Sequence, residues 1–335
     1  MSELPGWPHA APPFHPGETA LQQRLGAELA ERMQDVGRRV VRAEMPDQHR
    51  ELFHKLPFVL IGARDAAGRP WASAVAGAPQ AAVTPDARTL RLRARPLGEA
   101  TLGLGLAPGA WVGLLGLELP TRRRNRANGR IRVGSAGGLD VAVMQSFGNC
   151  PKYIQRRHPR PVQRSPDEPV ALGHRLDEAA TAMIGAADTC FIATVAPPTG
   201  DDARDVQRGL DVSHRGGRPG FVRVGHDGLG RSVLTLPDFA GNRFFNTLGN
   251  LQLDPRAGLL FIDWHGGDLL ALTGTVAVDD SPAAAGRIEG AERLLCWTMD
   301  AGWRLPHAWP FAADEAELSP HLAGTGVWPA DVAQA

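Results

Sequence analysis

The chain has 335 residues, and its 36 Lys+Arg balance its 36 Asp+Glu, so net charge gives no pull toward nucleic acid or an anionic membrane surface. A hydrophobic share of 43% is enough for a sizeable core, while 39 glycines and 28 prolines favour many turns over long helices. Three scattered cysteines, Cys150, Cys190 and Cys296, lack CxxC spacing, which argues against a disulfide framework or a zinc site and fits a reducing cytoplasm.

Residues 1–16 are a Pro-rich lead-in with neither a basic n-region nor an apolar h-region, so no signal peptide is expected. No apolar run approaches the roughly 18 residues of a membrane span. From Glu18 to about Arg42, apolar residues at Leu21, Leu25, Leu29, Met33, Val36 and Val40 recur with helical spacing, which predicts one amphipathic helix. Asp47 is a candidate N-cap for a short helix ending at Lys55. PFVLIGARDAAGRPWASAVAG then reads as strand, turn, strand.

The two halves resemble each other. VGLLGLEL (112–119) lines up with AGLLFIDW (257–264), placing Gly113 on Gly258 and Glu118 on Asp263. The same spacing puts Asn128-Gly129 on Thr273-Gly274, and a nearly equal one puts Gly68-Arg69-Pro70 on Gly217-Arg218-Pro219. Each half also opens with a helix running into an apolar strand, DQHRELFHKL–PFVLIG and LDEAATAMIGAAD–TCFIAT. Three ordered matches predict a tandem duplication. The expected divisions are a lead-in and helix (1–44), a first repeat (45–157), a Pro-rich linker (158–174) and a second repeat (175–335). The fold class is mainly β with flanking helices (α+β). Many short strands with exposed edges predict a small barrel in each repeat rather than an open sheet.

LPDFAGNRFFNTLGN (236–250) ends a strand in a Gly-Asn-Arg turn and starts a short helix. Arg243 offers a forked cation, Gly241 permits close backbone approach, and a helix beginning near Asn242 would aim free N–H groups at the same spot. An anion site, for a phosphate, is the expectation; a plain turn with a surface arginine is the alternative. Asn246 and Asn250 suit either a ligand contact or a local cap.

GRPGFVRV, LTLPDFAGNRFFNTLGNL, DPRAGLLFIDW and LLALTG together resemble the pyridoxamine 5′-phosphate oxidase-like superfamily of flavin-binding split β-barrels. The resemblance covers about residues 175–280; the first half and FGNCPKYIQRR (147–157) resemble it more weakly. It implies two tandem split barrels with FMN bound between barrels, with FAD, a deazaflavin or haem as alternatives. By the same resemblance, Phe221, Val222 and Arg223 form the flavin's strand, and Leu236 and Pro237 line the ring. Asn242 and Arg243 hold the phosphate, one of the family's two usual cations being an amide here. The first half has no Gly-Asn-Arg turn, but TRRRNRANG (121–129) places Arg124 where the family reaches across to the partner's flavin. The second repeat is then expected to hold the phosphate and a first repeat to cover it, in the same chain or in a homodimer. A solvated arginine hairpin is the alternative.

Further candidates are His214 and Arg215, beside Ser213 in DVSHRGGRPG, which would face the ring edge, with His214 in proton transfer. Cys150 is a candidate thiol with the positive charge of Lys152 two residues on. Trp297, Trp303 and Trp309 either cover a barrel end or stack on substrate. The eleven histidines show no metal-ligand spacing, and no GxGxxG opens a helix after a strand. The expected function is therefore an FMN-dependent oxidoreductase acting on a small molecule, with a nicotinamide donor or a separate reductase supplying electrons. The rivals are a flavin- or haem-binding protein without turnover, and a haem-degrading barrel using His214 or His265.

Overall fold

A computed structural model describes residues 6–135, 137–199 and 205–329. Residues 1–5 of the lead-in and 330–335 of the expected second repeat lie outside the described residues. The chain opens with α1 (Pro16–Arg24), α2 (Ala27–Val40) and α3 (Asp47–Lys55). There follow β1 (Phe58–Arg64), β2 (Pro70–Ala76), β3 (Ala82–Asp86), β4 (Thr89–Leu92), α4 (Glu99–Leu102), β5 (Trp111–Glu118), β6 (Arg123–Ser135) and β7 (Gly138–Gly148). Two short strands, β8 (Arg160–Pro161) and β9 (Val170–Ala171), precede α5 (Glu178–Ala186), β10 (Thr189–Ala196), β11 (Gly209–Gly216), β12 (Arg223–His226) and β13 (Ser232–Phe239). The chain continues through α6 (Asn246–Leu253), β14 (Arg256–Ile262), β15 (Leu269–Asp279), α7 (Pro282–Ala285), β16 (Ala291–Leu305) and β17 (Phe311–Ala312). No helix among these residues is long and apolar enough to cross a membrane.

The protein is mainly β, with antiparallel sheets and flanking helices. The single helix expected over residues 18–42 is two, because Gly26 takes φ +120°, a conformation open to glycine and strained for side-chain-bearing residues. Asp47 is the first helical residue of α3, with Pro46 in the cap position.

The two main sheets have the same strand order. The first runs β2-β1-β5-β6-β7-β4-β3 and the second β11-β10-β14-β15-β16-β13-β12. Both carry a register shift at the aligned glycine, between Asn128 and Gly129 in β6 and between Thr273 and Gly274 in β15. Gly113 and Gly258 likewise occupy equivalent places in β5 and β14. The Gly-Arg-Pro match is different: Pro70 opens β2, whereas Gly217-Arg218-Pro219 follows the end of β11, so these tripeptides are not equivalent. Each pairing path is open, ending on β2 and β3 or on β11 and β12. The expected linker is tied into the sheets, β8 pairing with β17 and β9 with β16.

The sheets pack with β11 of the second against β5 of the first, and β2 of the first against β14 of the second. A Cβ at Gly113 would lie 2.5 Å from the Leu210 carbonyl oxygen, and one at Gly258 would lie 2.5 Å from that of Pro70. Two backbones therefore touch where the repeats cross. One apolar core spans both, joining Leu60, Trp71 and Leu114 to Phe191, Leu210 and Leu260. Trp309 is fully buried in this core and Trp303 packs against it, while Trp297 is fully buried in a second core within the second sheet. The tryptophans thus serve packing.

Gly113→Ala and Gly258→Ala are each expected to destabilise the fold by roughly 1–3 kcal/mol through overpacking. Gly185→Ala in α5, where nothing lies within 4 Å of an added Cβ, should be neutral or stabilising by up to about 1 kcal/mol. Urea midpoints measure both; an unchanged midpoint for Gly113→Ala would rule out the close crossing.

Candidate functional site

A small cavity lies where β6 of the first sheet meets β11, the end of β13, the start of α6 and β16. Its volume is about 90 Å³, and five arginines line it (Arg124, Arg126, Arg215, Arg243 and Arg293) against two carboxylates, Asp238 and Glu292. A second cavity of about 50 Å³ adjoins it, sharing Arg124, His214, Arg215, Phe239 and Gly241.

Alternation along β6 explains the first repeat's contribution. Arg124 and Arg126 point to one face, while Arg123, on the opposite face, is exposed. The aligned residues of β15, Leu269 and Ala271, are fully buried in the apolar core, so the two repeats use this position in opposite ways. Arg126 is neutralised: it donates to Asp211 Oδ1 at 2.7 Å and to Ser213 Oγ at 2.7 Å. Arg124 differs from it, because no carboxylate among the described residues pairs with its guanidinium and its buried Nε has no partner. Burial, then Arg126 and Arg215, push its pKa down to about 9, which still leaves it charged at neutral pH.

In DVSHRGGRPG (211–220), the residues through Gly216 belong to the strand β11 (Gly209–Gly216). His214 is 5% exposed, stands edge-on to Phe191 at 5.9 Å, and leaves Nε2 without a partner. Burial foremost, then Arg124 and Arg215, hold its pKa well below 6.5, so the ring is neutral. Arg215 pairs with Asp238 at 2.8 Å, and Asp238 also takes Arg293 at 2.7 Å.

The Gly-Asn-Arg turn does line the cavity, with a different local geometry from the expected one. The helix begins at Asn246 rather than near 242, because Arg243 and Phe245 take left-handed φ of 65° and 61°. Phe245 supplies no side-chain cap, so the first N–H groups of α6 have no side chain covering them. Arg243 donates to Glu292 at 2.6 Å and Asn242 to Asn149 at 3.4 Å. Gly241 is exposed with open space where a Cβ would sit, so close approach is not what requires glycine there.

Four expected flavin contacts lie elsewhere. Phe221 and Val222 are buried in the second repeat's core, and Arg223 opens the edge strand β12. Leu236 alternates with Leu234 into the same core, leaving Pro237 to line the second cavity. Cys150 and Lys152 line that second cavity too. His265 sits apart, on a cavity of about 870 Å³. No group of three His, Cys, Asp or Glu among the described residues could hold a metal ion.

The sequence reading missed a buried network beneath the site. Asp211 accepts from Arg126 and Asn128 of the first repeat and from Asn250 of α6 at 3.0 Å. His15, the N-cap of α1, bonds Asn250 at 2.9 Å, and Glu18 accepts from Asn246. Asn250 therefore belongs to the support, whereas Asn246 both lines the cavity and holds Glu18. Burial raises the Glu18 pKa well above 4.5, with Asp211 adding to it, and burial lowers that of His15. Their 3.5 Å contact joins two neutral groups. The sequence signal was the His-x-x-Glu spacing at the start of a helix, which closes a capping box.

No family model and no curated protein matches the chain. Among solved structures, it is similar to a HupZ variant from Group A Streptococcus at 14% identity, over 38% of this chain and 98% of that one, with a TM-score of 0.28. It is also similar to the Bacillus subtilis inhibitor of motility MotI/DgrA at 12% identity, over 72% of this chain and 87% of that one, with a TM-score of 0.20. At these scores neither likeness carries an argument.

Two outcomes follow from the network. Asp211→Asn leaves Arg126 as a buried, uncompensated charge and should cost about 3–5 kcal/mol in urea unfolding; a loss below about 1 kcal/mol would discount the network. For Glu18, a raised folded-state pKa means its contribution is complete below about pH 4.5 and is lost as pH rises through the folded value. Glu18→Gln should therefore lose less stability than wild type between about pH 5 and pH 8. Equal losses would mean that Glu18 folds ionised.

Proposed function

We propose that the arginine-lined cavity binds the phosphate of FMN and that the protein is a flavin-dependent oxidoreductase on two tandem split barrels. The observation that carries the reading is Arg124. A guanidinium half-buried at a cavity, without a carboxylate partner and beside Arg126 and Arg215, is costly unless an anion joins it. The matching strand orders of the two sheets support the duplicated-barrel part.

In this reading Arg124 and Arg243 hold the phosphate by charge-assisted hydrogen bonds, reached from the two repeats. The uncapped start of α6 adds backbone N–H groups and the positive end of its dipole. Asp238 and Glu292 keep Arg215, Arg293 and Arg243 oriented. His214, being neutral, offers a hydrogen bond and not a proton. Bound FMN would supply hydride or electron transfer at its ring, with a small-molecule substrate and electrons from a nicotinamide donor or a separate reductase. Because the covering arginine comes from the same chain, the site needs no homodimer for its phosphate contacts.

One observation favours a second reading. A cavity of about 90 Å³ suits a phosphate, while pockets enclosing whole ligands run to roughly 300–1,000 Å³. A smaller phosphate monoester, bound without a flavin, would use the same groups. Haem gains nothing here: the cavity at His214 is too small for it. The one at His265 carries five carboxylates, Asp188, Asp263, Asp268, Asp314 and Glu315, which would repel haem propionates.

Fluorescence titration with FMN, riboflavin and inorganic phosphate separates these readings. FMN is expected to bind and riboflavin to bind at least about tenfold more weakly. Arg124→Gln should weaken FMN by about ten- to a hundredfold, the worth of one hydrogen bond to a charged group. Phosphate binding without FMN binding selects the second reading, and binding of none of the three ends both.

A further inference from the structure

We propose that Cys150 is a thiol addressed by anionic low-molecular-weight disulfides, whose carboxylates Arg124 and Lys152 hold at the mouth of the second cavity. The inference shares Arg124 with the phosphate reading but does not require a flavin.

The placement of Cys150 is specific. It follows β7 in a segment pinned to the turn after β13: Tyr153 Oη donates to the Ala240 carbonyl at 3.1 Å, and Lys152 Nζ reaches the same oxygen at 3.5 Å. Tyr153 takes a left-handed φ of 65°, and a Cβ at Gly216 would lie 2.1 Å from its carbonyl oxygen. The segment therefore meets β11 backbone to backbone, and this contact sets Cys150 against the cavity wall.

The wall carries more positive than negative charge, since Asp238 neutralises Arg215 while Arg124 and Lys152 pair with no carboxylate among the described residues. Arg124, Lys152 and Arg215 line the second cavity and no acidic residue does, in contrast to the larger cavity beside it. His214 lines it as well, 95% buried by its 5% exposure, with Nε2 lacking a partner. The Nε atoms of Arg124 and Arg215 are also without partners. A half-exposed thiol in an electropositive pocket with unmet hydrogen-bonding groups has the setting of reactive cysteines, where the incoming reagent carries the missing negative charge.

The other two cysteines have neither feature. Cys190 is fully buried, which pushes its pKa up to about 12. Cys296 is half-buried, and burial and then Asp279 push its pKa upward. Both are inert by comparison and serve as internal references.

The chemistry is thiol–disulfide exchange. The Cys150 sulfur, its proton lost to solvent, attacks one sulfur of the disulfide along the S–S axis. A new S–S bond forms to Cys150, the old one breaks, and the second half leaves as a thiolate. Cys150 is oxidised to a mixed disulfide, and the external disulfide is reduced by the same two electrons. The arginine and lysine charges hold the carboxylates of the incoming disulfide and favour the departing thiolate.

The test uses the intact chain and peptide mass spectrometry at all three cysteines. Iodoacetate and iodoacetamide are compared as small anionic and neutral probes, and glutathione disulfide and cystamine as anionic and cationic disulfides. Relative to the urea-unfolded chain, Cys150 is expected to favour iodoacetate over iodoacetamide by about tenfold, and glutathione disulfide over cystamine. Arg124→Gln should abolish the preference, and Lys152→Gln, a milder change, should reduce it several-fold. A Cys150 preference equal to that of the unfolded chain, or no greater than that of Cys296, overturns the proposal. If selectivity persists while FMN fails to bind, the flavin reading alone falls. If FMN binds and selectivity is absent, this proposal alone falls.

Discussion

A single buried carboxylate, Asp211, holds the architecture of the site. It stands on β11, at the crossing where Gly113 of β5 brings the backbones of the two repeats into contact. From there it accepts hydrogen bonds from Arg126 and Asn128 of the first repeat and from Asn250 in the middle of α6. Desolvating a carboxylate costs several kcal/mol, and charge-assisted bonds from several donors are what offset it. The repeats can therefore dock with little freedom of register, since sliding either would leave Asp211 or Arg126 buried and unpaired.

That docking gives the arginines of β6 their different roles. Arg126 is consumed by the junction, while Arg124, two residues earlier on the same face, meets no carboxylate among the described residues at the edge of the cavity. The second sheet keeps apolar Leu269 and Ala271 at these positions in the apolar core, whereas the first places two arginines there that line the cavity. Differences at two aligned strand positions thus make an otherwise matching pair of sheets asymmetric at the cavity.

The N-terminal helix completes the support. Gly17 and Gly249 allow α1 and α6 to touch along their backbones, a Cβ at Gly17 falling 2.2 Å from the Gly249 carbonyl oxygen. Through this contact His15 and Glu18 reach Asn250 and Asn246 and fix the end of α6 that faces the cavity.

The sequence by itself determined the class of elements and their repetition. Apolar runs such as VGLLGLEL and AGLLFIDW read as buried strands and their aligned glycines marked the repetition, whereas the crossings at 113 and 258 and the bulges at 129 and 274 came from the tertiary structure. The Gly-Asn-Arg turn and the TRRRNR run were legible as cation-bearing segments, and both line the cavity. Tertiary structure decided what each cation does. Which guanidinium finds a carboxylate depends on Asp211, Asp238 and Glu292, each far away in sequence, and no local pattern encodes those distances. The same holds for Phe221, Val222 and Leu236: their apolar character marks them as buried, but the face they present is set by strand register, and register is fixed by long-range pairing. Glu18 was the least legible, because a glutamate in a first helical turn is ordinarily a solvated cap, and only the docking of α1 on α6 removes it from water.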